Sequence, residues 1–133
     1  MSQSVQANIL LVDDDDAVRE VTAAILEDLG YEVRVAEGGQ AALDELDRGQ
    51  RLDLMMVDVA MPGMSGIDLT RAVHARRPGL PVLLVTGYAD NDAIAAVGEE
   101  RIVLKPFRNE DLARKIRTAL GAGENGKVVS LRR

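Results

Sequence analysis

Residues 54–63 read Leu54-Met55-Met56-Val57-Asp58-Val59-Ala60-Met61-Pro62-Gly63. Four apolar residues run without alternation straight into an aspartate, and a Pro-Gly turn signal follows. A short apolar run of this kind suits a strand buried on both faces, as in a parallel sheet. Similar runs stand at Ile9–Val12 and Pro81–Val85, while Glu32–Ala36 alternates with its charges and Arg101–Leu104 is brief. Helical spacings lie between them. Val18, Val21, Ile25 and Leu29 share one face before Gly30, Ala42, Leu43 and Leu46 precede Gly49, and Leu69, Ala72 and Val73 precede Pro78. Asp92–Val97 is a short helix candidate, and Leu112, Ile116 and Leu120 lie between an Asn109 cap and a Gly121 stop. Five strands therefore alternate with five helices. That order predicts an α/β fold, a doubly wound parallel sheet with flanking helices on both faces.

Composition narrows the function. The chain has 133 residues, enough for one domain. It has no cysteine, which excludes disulfides, thiolate zinc sites and cysteine nucleophiles. Its three aromatics, Tyr31, Tyr88 and Phe107, are too few for a base-stacking surface, and a net charge of −6 disfavours direct DNA binding. No apolar run approaches the ~20 residues of a membrane span, and Met1–Asn8 has no signal-peptide core, so the expected location is cytoplasmic. Charge is unevenly spread. Residues 1–60 hold 14 acids and 4 bases, whereas residues 61–133 hold 8 acids and 12 bases.

In an open α/β sheet, ligands bind beyond the carboxyl ends of the strands. Asp13 and Asp14 follow the first strand, Asp58 the third, Thr86 the fourth, and Lys105-Pro106 the fifth. Taken singly, each has a plain explanation. Asp15 and Asp16 cap the first helix and favour its dipole, Asp58 and Thr86-Gly87 are turn residues, and a lone lysine is a solvated charge. Taken together, they place three carboxylates, a hydroxyl and an ammonium on one sheet edge. The charges of three carboxylates balance a lysine and a divalent cation. Oxygen ligands without His or Cys favour Mg²⁺ over zinc. Carboxylates, open water positions and a lysine suit phosphoryl transfer, where positioning and charge neutralisation dominate.

Over residues 8–120 the chain resembles the receiver domain of two-component response regulators. The matching segments are Ile9–Asp14, Asp58–Gly66, Val85-Thr86-Gly87 and Lys105-Pro106-Phe107. The resemblance implies a five-stranded, flavodoxin-like sheet of order 2-1-3-4-5. It implies that Asp58 accepts a phosphoryl group from a histidine kinase or a histidine phosphotransfer protein. Mg²⁺ would be held by Asp14 directly, by Asp13 through water, by Asp58, and by the backbone carbonyl of Ala60. Lys105 would pair with a phosphoryl oxygen across a cis Lys105–Pro106 bond, and Thr86 would move its hydroxyl onto the phosphoryl group. The output would pass through contacts with a downstream protein. Residues 1–7 and 121–133 are then an N-terminal and a flexible C-terminal tail.

Two positions depart from the family pattern. Ile102 stands three residues before the lysine, where an aromatic is common, so the rotating-aromatic part of the switch falls in question and Tyr88 is the nearest substitute. Thr86 to Lys105 spans 19 residues, a few fewer than usual, with the loss in the fourth helix. Together with the run Thr86-Gly87-Tyr88-Ala89-Asp90, this resembles receivers attached to hybrid histidine kinases. His74 reads as a surface or groove residue, and Arg114, Lys115 and Arg117 as a solvated face. Two other functions compete: a receiver-like interaction module that is never phosphorylated, and an aspartate-nucleophile phosphohydrolase. The hydrolase usually has a second acid two residues after its nucleophile, where this chain has Ala60. A flavodoxin-type cofactor protein is disfavoured because Asp13–Asp16 would repel the FMN phosphate.

Overall fold

The computed structural model describes residues 7–88 and 91–132, with side chains described through Gly121. Strands β1 (Asn8–Val12), β2 (Glu32–Ala36), β3 (Leu54–Asp58), β4 (Val82–Thr86) and β5 (Ile102–Leu104) alternate with helices α1 (Asp16–Asp28), α2 (Gly39–Asp47), α3 (Gly66–Arg76), α4 (Asn91–Val97) and α5 (Asn109–Arg132). The strands form one sheet in the order β2-β1-β3-β4-β5. All four pairings are parallel, with Ile9 opposite Leu54 and Met55 opposite Val82.

The continuous apolar runs are explained by burial on both sides. Leu10, Val12, Met55, Val57, Val82 and Leu84 pack into one core with α2 and α3. Ile9, Leu11, Met56, Leu83 and Val85 pack into a second with Leu26 of α1 and Leu112 and Ile116 of α5. Strand β2 lies at the sheet edge and keeps its exposed charges, which is why its sequence alternates where β1 and β3 do not.

Three local differences from the sequence reading have physical causes. The expected face of α1 is turned aside. Thr22 and Leu26 are its buried residues, while Val18 and Val21 are 40% and 61% exposed. Ile25 of the same stripe still packs on the second core, while Val18 and Val21 border an open cleft floored by the sheet. Before β5, Glu99–Arg101 forms a single 3₁₀ turn, which shortens the strand to three residues. Helix α5 starts at Asn109 itself and continues past Gly121, the expected stop. Glycine lowers helix propensity by about 1 kcal/mol without forbidding the conformation. Side chains 122–132 and residue 133, within the expected flexible tail, lie outside the described residues, as do residues 1–6 of the N-terminal tail and Ala89-Asp90 of the Thr86–Asp90 run.

The uneven charge of the sequence is carried into the fold by its elements. The acidic first 60 residues build β2, β1 and β3 with α1 and α2, and the more basic remainder builds β4, β5 and the later helices, with Arg76 and Arg77 reaching back to α2 and the loop after it.

Candidate functional site

The site lies at the carboxyl ends of β1 and β3, which are neighbours in the sheet. The ladder runs slightly past each strand. Asp13 N–H donates to the Ala36 carbonyl at 3.1 Å, Val59 N–H to the Val85 carbonyl at 3.0 Å, and Lys105 N–H to the Thr86 carbonyl at 2.8 Å. These bonds fix where Asp13, Asp58, Thr86 and Lys105 leave the sheet. Asp13 and Asp58 are buried and Asp14 is exposed. One carboxylate oxygen from each of Asp13, Asp14 and Asp58 lies within 4.8 Å of the other two. Lys105 Nζ stands 3.5 Å from Asp58 Oδ1, and the Lys105–Pro106 bond is cis, as expected.

Burial raises the Asp13 pKa above its ordinary value, and the negative charges of Asp58 and Asp14 push it the same way. A hydrogen bond from the Asp15 N–H and the charge of Lys105 oppose that shift. Three converging carboxylates against one lysine leave the pocket under-neutralised. The donor set is all oxygen, with no sulfur or imidazole, and suits a hard divalent cation.

The remaining expected residues are positioned by their loops. Ala60 N–H lies 3.4 Å from Asp58 Oδ1, so the first turn after β3 folds its backbone back onto the carboxylate. The Thr86 hydroxyl is engaged by the Tyr88 backbone. It donates to the Tyr88 carbonyl at 3.0 Å and accepts from the Tyr88 N–H at 3.2 Å. Tyr88 is 74% exposed, whereas Ile102 is 3% exposed and sealed in the core. Position 102 therefore offers no side chain that swings between solvent and interior. Asp15 caps α1 by accepting from the Val18 N–H at 3.0 Å, as expected, and Asp16 opens the first turn. His74 is half-buried on α3. Arg114 pairs with Asp111 at 3.0 Å, and Lys115 Nζ lies 3.5 Å from the Glu100 carbonyl, so part of the basic run is committed locally.

Two further features appear only in three dimensions. A cleft of about 520 Å³ opens beside Asp58 between the Val18, Val21 and Ile25 flank of α1 and Pro106-Phe107, floored by Met56. Arg19 of α1, with a side chain 16% exposed, donates one guanidinium N–H to the Asp13 carbonyl at 2.8 Å and another to the Asp16 carboxylate. A larger hollow of about 570 Å³, reached by Tyr31, Arg51 and Arg77, lies at the amino ends of the strands, away from the carboxylates.

The described arrangement is a flavodoxin-like sheet with an acidic triad and a lysine at its carboxyl edge. Residues 9–117 match the response regulator receiver domain, and the chain belongs to that family. It is 43% identical to the chemotaxis protein CheY of Pseudomonas aeruginosa over 114 residues, covering 81% of this chain and 91% of that protein. It is 32% identical to the DNA-binding response regulator MtrA of Mycolicibacterium smegmatis, covering 92% of this chain but 54% of that protein. A cyclic di-GMP phosphodiesterase of Thermotoga maritima is matched at 35% identity over only 30% of its length. The chain thus spans about half or less of these last two relatives. Among solved structures, a CheY-like receiver domain from Methanospirillum hungatei superposes with a TM-score of 0.82 at 32% identity, covering 92% of this chain and 99% of that one. The response regulator TrrA of Thermotoga maritima, solved in complex with Mg(2+)-BeF, superposes with a TM-score of 0.76 at 29% identity, covering 86% of this chain and 99% of that one. The matched domain, with its acidic pocket of Asp13, Asp14 and Asp58, is the phospho-acceptor module of two-component signalling.

Proposed function

We propose that Asp58 is the phospho-acceptor and that the groups around it divide the work of the transfer. A carboxylate oxygen of Asp58 attacks the phosphorus of a phosphohistidine on a histidine kinase or phosphotransfer protein. The P–O bond forms as the P–N bond breaks, and the electron pair leaves with the imidazole nitrogen. The observation that supports this reading is the convergence of Asp13, Asp14 and Asp58 within 4.8 Å beside Lys105.

Asp13, Asp14, Asp58 and the Ala60 carbonyl would hold Mg²⁺, which when bound neutralises charge on the phosphoryl oxygens. TrrA, the relative solved with Mg(2+)-BeF, supports that assignment. Lys105 supplies a fixed positive charge at the acceptor carboxylate. Thr86 carries the response. Its hydroxyl leaves the Tyr88 backbone for the phosphoryl group, and the β4–α4 loop shifts with it. The message passes to a downstream protein by contact, in the cytoplasm. A net charge of −6 argues against direct DNA binding. No helix among the described residues is long and apolar enough to cross a membrane. None of the relatives named above is a hybrid kinase.

The test is incubation with Mg²⁺ and acetyl phosphate, followed by intact-mass analysis. One phosphoryl adduct is expected, absent in Asp58→Ala and absent when EDTA removes Mg²⁺. No adduct from either acetyl phosphate or a phosphohistidine donor would favour the non-phosphorylated interaction module. Steady release of phosphate from added phosphoesters would favour the hydrolase, which Ala60 in place of a second acid argues against.

A further inference from the structure

We propose that Arg19 is the positioning residue of the acidic pocket, bracing the Asp13–Asp16 loop so that Asp13 and Asp14 meet Asp58 at cation-binding distance. The inference rests on the reading of that pocket as a Mg²⁺ site. Four consecutive aspartates repel one another, and beyond the Asp13 ladder bond and the Asp15 cap the run is tied by an arginine. Arg19 is placed to hold it. One arm of its guanidinium bonds the backbone carbonyl of Asp13 at 2.8 Å, and a second bonds the Asp16 carboxylate, so one planar group spans both ends of the run. Its own N–H donates to the Asp15 carbonyl at 2.8 Å. The Arg19 side chain is 16% exposed although the Asp16 carboxylate is 83% exposed, so the enclosed contact is the one to the Asp13 carbonyl. Inside this brace the Asp15 N–H donates to Asp13 Oδ1 at 2.9 Å, fixing the carboxylate that faces Asp58.

Simple electrostatics makes the opposite prediction. A guanidinium near a cation site repels the cation, so charge alone has Arg19→Met binding Mg²⁺ more tightly than the wild type. Positioning has it binding more weakly, because groups that orient metal ligands are worth about tenfold or more in affinity when lost. Lysine keeps the charge but loses the planar fork that spans two acceptors.

The experiment is a Mg²⁺ titration of the full chain followed by ¹⁵N NMR, for the wild type, Arg19→Lys and Arg19→Met. The expected order of affinity is wild type, then Lys, then Met, with Met weaker by about tenfold and with faster hydrogen exchange at the Asp15 amide. Met binding Mg²⁺ as tightly as the wild type, or more tightly, overturns the inference. Should Met fail to fold, Lys decides: weakened binding supports positioning, and wild-type affinity overturns it. A wild type that binds no Mg²⁺ overturns the pocket reading itself, and the role of Arg19 with it.

Discussion

Asp13 shows how a single residue can work against the fold for the sake of the site. It is 6% exposed, and burial followed by its carboxylate neighbours lifts its pKa above 3.8. In the window between 3.8 and the raised value the folded state therefore holds the extra proton. Stability falls as pH rises through that window, and the loss is complete above it. Asp13→Asn keeps an acceptor for the Asp15 N–H and removes the buried charge. It should stabilise the metal-free protein at pH 7, an effect that disappears at acid pH; urea denaturation at both pH values checks it. Protons and Mg²⁺ compete for the same carboxylate, so Mg²⁺ affinity should decline as pH drops toward the ordinary carboxylate range. At this scale the strand-end residues were legible, because each follows an apolar run directly. Arg19 was not, because nothing in its spacing reveals that it reaches back to a backbone carbonyl six residues away.

Elements were legible where burial is one-sided or complete and less so where a helix has two apolar flanks. The β1, β3 and β4 runs are short, unbroken and apolar, which suits strands buried on both faces. The α1 stripe was ambiguous because Val18, Val21 and Ile25 are as apolar as the residues that meet the sheet; only packing picks Thr22 and Leu26. The junction of β3 with α3 offers a sharper test. A Cβ at Gly66 would lie 2.6 Å from the Asp58 carbonyl oxygen and 2.8 Å from Val59 Cα, both backbone atoms that cannot yield without moving Asp58. A Cβ at Gly39, which opens α2, would meet the Met64 side chain first, its sulfur nearest. Gly66→Ala should cost about 1–3 kcal/mol by overpacking and slow the formation of the phosphoryl adduct. Gly39→Ala should cost less and leave adduct formation near the wild-type rate. Thermal melts and the acetyl phosphate assay read both outcomes.

For the molecule as a whole, the doubly wound order was legible from the alternation of elements, and the strand order 2-1-3-4-5 from the resemblance. The apolar cleft beside Asp58 was not legible, because it depends on how far α1 stands from Pro106 and Phe107. A fold that holds three carboxylates together against one lysine should gain stability from the cation that relieves them. At ten times its Kd, Mg²⁺ should add about 1.4 kcal/mol and raise Tm by about 5 °C for a chain of this size. Scanning calorimetry with and without EDTA measures this. The division of charge among the elements has a consequence for kinetics. With β2, β1, β3, α1 and α2 drawn from the acidic first 60 residues and β4, β5 and α5 from the more basic remainder, the uneven charge should give the domain an electric dipole. A charged partner then meets it in a preferred orientation before any contact forms. Association rates should fall as salt shortens the Debye length to about 8 Å at physiological ionic strength, while dissociation rates change little. Charge spread unevenly over the elements would thus govern how quickly a signal arrives, separately from how tightly the partners bind.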